Sequence, residues 1–369
     1  MSDLILLCSG AAADGTSAAH DPSSSDAALE PGAIAAALAG GAIARACVRA
    51  GVAADATDDA LVPRELPCDA WLRERFGVAP GDAIEAWSAP VHGVAPPCWR
   101  LTPVNVRVGH DSLVLDDPGA LALGAGEARA LAAAAAPLFA EAGLALTAPA
   151  PLAWFATGDT TQRWQARPWT LACGRRIDAF LPGGEDARAW RRLFTEVQML
   201  WHAHPVTSAR EAAGRAPVNA LWLDGRATAL ARDGTRAPRA VVTGEPAVAG
   251  LARAAGARAF DADPLALDDT AWRALARDGD VLLDVGVWRS PRRGADASAW
   301  HEAWRAADAW YAALCARRDP LADFARVRWV FTGERRRVEL ALARSERWQP
   351  WRHLDALARV LGTSGVRRR

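Results

Sequence analysis

The sequence predicts an α/β protein: a mostly parallel sheet flanked by helices, with a smaller α+β domain inserted into it. Three observations carry this. After Pro217 short apolar runs alternate with helical stretches, which is the rhythm of a parallel sheet. Over roughly residues 100–157 the order changes to strand, strand, helix, strand, strand, which describes a small α+β unit. A buried-strand pattern at residues 4–8, far from the later runs, matches them in character and can complete the same sheet. The chain has 369 residues, more than one average domain of roughly 150. We therefore expect a discontinuous core domain, 1–94 plus 181–369, and an inserted domain, 95–180.

The elements follow in chain order. Leu4, Ile5, Leu6, Leu7 and Cys8 form a short apolar strand stopped by Ser9-Gly10. Residues 11–30 are Ala, Asp, Ser and Gly and read as a loop. A helix is expected over 33–50, a second over 69–76 ended by Gly77, and a helical turn over 82–87. Val104, Val106 and Val108 alternate with Asn105 and Arg107, a half-buried strand, and 112–115 is the next. A helix spans 125–142 and ends at Gly143, strands follow at 144–147 and 152–155, and a long helix runs over 185–202 until Pro205. Later strands are read at 218–223, 240–242, 281–285, 327–331 and 338–342. The helices between and after them are read at 247–255, 270–277, 297–316 and 351–361. No repeat of solenoid period is visible.

Composition narrows the function. Acidic and basic residues number 43 each, so no net basic charge points to nucleic acid. No lysine occurs, which excludes a P-loop lysine, a Schiff-base lysine and pyridoxal-phosphate chemistry. The six cysteines stand apart at 8, 47, 68, 98, 173 and 315, without the Cys-x-x-Cys pairs of zinc ribbons or thioredoxin-type sites. The start, Met1-Ser2-Asp3, lacks the basic residues of a signal peptide, and the apolar stretch 34–44 is too short to span a bilayer. We expect a cytoplasmic protein with no membrane contact.

Polar residues at the ends of apolar strands are the strongest candidates for a site, because ligands of open α/β sheets gather at strand C-termini. Asn219 lies near the start of the run at 218–223 and Asp224 follows it, Asp284 is the polar end of the stretch 280–284, and Glu334 follows Thr332-Gly333. Arg292 and Arg335 lie beside these ends and are suited to holding a phosphate or carboxylate. Each has a structural alternative. Asp224-Gly225 can simply form a turn, and Arg335 to Arg337 can be an exposed hairpin. His202-x-His204 can start a metal site, but i and i+2 point apart on a helix, and a histidine there also suits the negative helix end. His110-Asp111 can serve general acid/base chemistry, but Gly109-His110-Asp111 reads first as a tight turn between strands. Trp300, Trp304 and Trp310 share one helix and fit core packing. Trp348-Gln349-Pro350-Trp351-Arg352 looks like a packing clasp. Cys68 as a reactive thiol lacks an evident histidine partner.

Four stretches together resemble the proteobacterial RpfE-type regulatory proteins, often described as phosphoglycerate-mutase-like. They are residues 102–111, residues 195–205 (containing Glu-Val-Gln-Met-Leu), Pro217 to Gly225 (Pro-Val-Asn-Ala-Leu-Trp-Leu-Asp-Gly) and Arg347-Trp348-Gln349-Pro350-Trp351-Arg352. The segment order also resembles, more faintly, the cofactor-independent phosphoglycerate mutases of the alkaline-phosphatase superfamily. That resemblance implies an alkaline-phosphatase-like, metal-dependent α/β fold with an inserted domain. The departures lie at its metal ligands. Where the resemblance implies Asp-Gly after the first strand, this chain has Ser9-Gly10; where it implies Thr-Gly-Asp-His, it has Thr332-Gly333-Glu334-Arg335. No histidine occurs over 284–296, where Arg292 and Arg293 lie, and Cys68-Asp69 falls where relatives carry Ser-Asp. Two divalent ions need several anionic or imidazole ligands, and arginine repels them. We therefore expect no metal and no cofactor, a catalytically degenerate protein, and a small anionic ligand or a protein as partner. The alternative is an active metal-dependent mutase or phosphatase using Asp14, Asp224, Asp284, Glu334 and His301.

Overall fold

Short apolar runs bounded by polar ends set the central strands. The structure, a computed structural model, describes residues 2–14, 29–58, 60, 62–109, 112–158, 161–230, 237–277, 279–294, 296–346 and 356–362. Among them the strands are β1 (Asp3–Ser9), β2 (Gly51–Thr57), β3 (Cys98–Val104), β4 (Val106–Val108), β5 (Leu113–Leu115), β6 (Leu144–Ala150) and β7 (Ala153–Gly158). They continue with β8 (Ala220–Ala227), β9 (Ala240–Thr243), β10 (Arg258–Asp261), β11 (Val281–Asp284), β12 (Arg326–Thr332) and β13 (Arg336–Ala343). The chain divides into two units, Met1–Trp71 with Arg236–Glu245 and Gly256–Arg369, and Leu72–Thr235 with Pro246–Ala255. The sequence reading draws the insert more narrowly, at 95–180.

In the first unit a seven-stranded sheet runs β10-β9-β11-β1-β12-β13-β2. The strands from β10 to β12 are parallel, and β13 and β2 close the edge antiparallel. β1 pairs with β11 and with β12, Leu4 standing opposite Val281 and Val327. Leu4, Ile5, Leu6 and Leu7 are buried on both faces of the sheet, as a central parallel strand requires. The helix Ala297–Arg317 covers one face with Trp300, Trp304, Ala307, Tyr311 and Leu314 at helical spacing. This burial is why the tryptophans sit there: Trp304 stacks on Phe331 and lies edge-on to Trp300.

Two readings of this unit change. The helix expected over 33–50 is two helices, Pro31–Ala37 and Ala42–Arg49, bent by 91°. Gly40-Gly41 interrupts it. A Cβ at Gly41 would lie 2.6 Å from Asp308 Oδ1, the carboxylate oxygen that accepts the Ile43 N–H at 2.8 Å. Strand β2 is absent from the sequence reading. Its residues, Gly51 to Thr57, are Ala-rich and mostly exposed, as befits an edge strand without an apolar signal. Among the described residues no single helix is long and apolar enough to cross a membrane. The bent pair is apolar because Ile34, Ile43, Ala44 and Cys47 pack into the core.

In the second unit an antiparallel sheet, β6-β7-β3-β8, carries the helices Ala125–Glu141 and Ala187–His202. Their core joins Leu131, Phe139, Trp190, Val197 and Trp201 to Trp99, Trp154 and Leu221, and Trp201 Nε1 donates to the Leu131 carbonyl at 3.1 Å. The single strand read over 104–108 is two, broken at Asn105, whose Nδ2 donates to Asp116 Oδ2 at 2.9 Å. The strand read at 218–223 pairs antiparallel with β3 and does not join the parallel sheet. The turn at His110-Asp111 and the clasp at 348–352 lie outside the described residues.

Candidate functional site

The ends of β9, β11, β1 and β12 lie side by side in the first unit. Leu4, Leu6 and Cys8 share one core face with Val281, Leu283, Ala240, Val242 and Phe331. The alternation of a strand therefore puts Ser9, Thr243, Asp284 and Thr332 together on the opposite face. All four are buried. The register sets Ser9 opposite Thr332 and Leu7 opposite Asp284.

Arg289, the first residue of a short helix, Arg289–Arg293, reaches into this group. Its Nη2 donates to Asp284 Oδ1 at 2.5 Å and to Ser9 Oγ at 3.2 Å. Its Nη1 faces Glu245 Oε1 at 3.1 Å. Thr243 Oγ1 donates to the other oxygen of Asp284 at 2.6 Å and accepts the Glu245 N–H at 2.9 Å. Burial works against the charge on Arg289, but Asp284 and Glu245 outweigh it and hold the proton more firmly than usual. Ser9 Oγ also meets Cys68 Sγ at 3.0 Å. Burial, assisted by the nearby Asp69, pushes the Cys68 thiol up to about 12 in spite of Arg289 and the Ser9 contact. Cys68 is a neutral thiol here, not a nucleophile.

Beside this network lies a second one. Buried Arg292 donates through Nη1 to the Ala12 carbonyl at 2.6 Å and through Nη2 to Asp14 Oδ2 at 2.8 Å. Asp14 Oδ1 accepts the backbone N–H groups of Arg335 and Arg336, each at 2.9 Å, and its Oδ2 accepts that of Glu334 at 3.3 Å. The carboxylate thus ties residues 12–14 to the hairpin between β12 and β13. Gly333 makes room for it, since a Cβ there would lie 2.5 Å from Asp14 Oδ1.

Of the residues chosen from sequence, Asp284, Glu334 and Arg335 fall at or just beyond strand ends of the first unit and Arg292 on the short helix Arg289–Arg293, in two networks. Asn219 and Asp224 belong to the second unit. Asp224 does not end its strand. β8 continues to Ala227: Gly225, at φ +143°, stands opposite Arg100 and Leu223 opposite Leu101, so the register shifts at Asp224 and the strand does not turn. The Asp224 carboxylate is fully buried. It accepts from Thr102 Oγ1 at 2.6 Å, Arg100 Nη1 at 3.2 Å and the Trp169 N–H at 3.0 Å. Burial raises its pKa against the pull of these three. Asn219 pairs with both backbone groups of Val106, at 2.8 Å each. Both residues are clasps between strands. His301 is taken up by the Leu29 carbonyl at 2.9 Å, and His204 caps the helix Pro205–Ala212, its Nδ1 accepting the Val206 N–H. Sequence reasoning missed Arg289, Thr243 and Glu245. The available signals were Thr243-Gly244-Glu245 directly after an apolar strand and Gly286 three residues before Arg289.

These residues do not fit a divalent cation. Asp284 has both oxygens engaged, and a permanently charged guanidinium stands against one of them. Among the described residues no three His, Cys, Asp or Glu side chains assemble as a metal-ligand group.

The class defined by fold and site is an α/β protein with a mostly parallel sheet and a buried Asp284–Arg289–Glu245 ion-pair network at its strand ends. Two solved structures are similar to it. A protein of Pyrococcus horikoshii, PH0037, is 11% identical with a TM-score of 0.50, over 97% of this chain and 92% of that one. A cofactor-independent phosphoglycerate mutase from Thermoplasma acidophilum DSM 1728 is 15% identical with a TM-score of 0.45, over 100% of this chain and 96% of that one. At such identity the likeness is one of fold. No family model matches the chain, and no curated protein shows significant similarity to it.

Proposed function

We propose that the chain is a metal-independent, catalytically degenerate protein of a phosphoglycerate-mutase-like fold, with a binding or regulatory role. One observation carries this reading. The carboxylate at the central strand end, Asp284, has Thr243 on one oxygen and the Arg289 guanidinium on the other, so a cation approaching it meets a fixed positive charge. The thiol at the same place, Cys68, is buried and protonated. A regulatory role is what the RpfE-type resemblance of the sequence implies. Glu245 is half exposed on Arg289, so a small anionic ligand entering the crevice displaces Glu245 and takes its guanidinium nitrogen. The test is turnover: purified protein incubated with 2- or 3-phosphoglycerate, with manganese and separately with chelator, leaves the substrate unchanged in both. Interconversion that depends on metal and disappears in Asp284→Asn refutes the proposal.

A further inference from the structure

The strand ends bring acceptors from separate elements onto one guanidinium. Asp284 comes from the end of β11, Ser9 from the end of β1 and Glu245 from just beyond β9, while Thr243 fixes the second oxygen of Asp284. Carboxylate and hydroxyl oxygens are what a hard cation recruits, and a buried carboxylate requires an opposite charge. The point is filled by the Arg289 guanidinium. The backbone is shaped around it, since a Cβ at Gly286 would overlap Arg289 Nη1.

We infer that Arg289 is the built-in cation of the crevice, a tethered positive charge that performs the charge balancing a bound ion would otherwise perform. This rests on the metal-independent reading above and adds the residue responsible. A tethered guanidinium cannot dissociate. Burial, which disfavours its charge, is outweighed by Asp284 and Glu245. The buried Asp284 carboxylate therefore keeps its counter-charge whatever the metal supply.

The test is thermal melting of the full chain with low-millimolar Mn²⁺, with low-millimolar guanidinium chloride, and with NaCl at matched ionic strength. Arg289→Ala leaves Asp284 buried without a counter-charge and is expected to melt several degrees below wild type. Mn²⁺ or guanidinium restores at least half of that loss, NaCl does not, and wild type responds to none of them. Asp284→Asn/Arg289→Ala melts above the single variant and ignores both cations. A folded Arg289→Ala that ignores both, or a wild type that responds as strongly, overturns the inference. If Arg289→Ala does not fold, the double variant decides: recovery of the fold supports charge balancing, and failure to recover overturns it. Metal-dependent turnover by wild type refutes the proposed function, whereas a silent single variant beside an inactive wild type refutes only the role of Arg289.

Discussion

Removing the Asp14 carboxylate tests whether Arg292 and the β12–β13 hairpin are a structural clasp. The Arg292 side chain is 4% exposed and that of Asp14 15%, and their oxygen and nitrogen lie 2.8 Å apart. Asp14→Ala takes the Asp14 carboxylate away from the buried Arg292 charge, and three hairpin N–H groups lose the oxygens they donate to. Breaking a buried pair from one side costs about 3–5 kcal/mol, and the slight exposure of Asp14 favours the lower end. At about 2–4 °C per kcal/mol, a loss of about 3 kcal/mol lowers Tm by about 6–12 °C. Asp14→Asn keeps an oxygen for the hairpin but loses the charge, so it falls between. Asp14→Ala/Arg292→Met regains part of the loss, because the uncompensated charge is gone. Differential scanning calorimetry reads all three. Asp14→Ala within about 0.5 kcal/mol of wild type, the range of an ordinary surface change, refutes the clasp.

Other expectations follow from the same contacts. Glu127 is held below its usual range: burial opposes this, but the Gly124 N–H, Arg210 and Arg215 outweigh it. Its folded pKa is depressed, so its contribution to stability is present above the unfolded value of about 4.3 and is lost as pH falls through the folded value. Urea melts across that acidic window are shallower in their pH dependence for Glu127→Gln than for wild type. Trp304→Ala empties a buried site against Phe331 and Trp300 and costs about 3–5 kcal/mol by chemical denaturation. Gly250→Ala improves helix propensity by about 1 kcal/mol yet lowers Tm, because the new Cβ overlaps the Trp87 carbonyl. Alkylation at pH 8 followed by peptide mass spectrometry labels exposed Cys315 well before Cys68, whose thiol is buried.

The strands at the centre of the sheet were legible because Leu4 to Leu7, Val281 to Leu283 and Trp329 to Phe331 are apolar runs with polar stops. Their side-by-side arrangement put Asp284 at a strand end, as the sequence reading expected. Asp224 was misplaced for a local reason: Asp-Gly signals a turn, but Gly225 at φ +143° bends β8 without ending it. The role of Arg292 was hidden because its partners are in residues 12–14, a stretch that reads as a loop. Arg289 was overlooked beside the Arg292-Arg293 doublet, and its pairing with Glu245 depends on the order β9-β11-β1, which no local pattern encodes. Strand β2 carries no apolar alternation and was invisible for that reason.

Elemental analysis of the purified chain after equilibrium dialysis against manganese tests the central claim most directly. The account predicts no stoichiometric metal, because the guanidinium of Arg289 occupies the oxygen donors of the crevice. One or two ions retained per chain, and lost in Asp284→Asn, would contradict it.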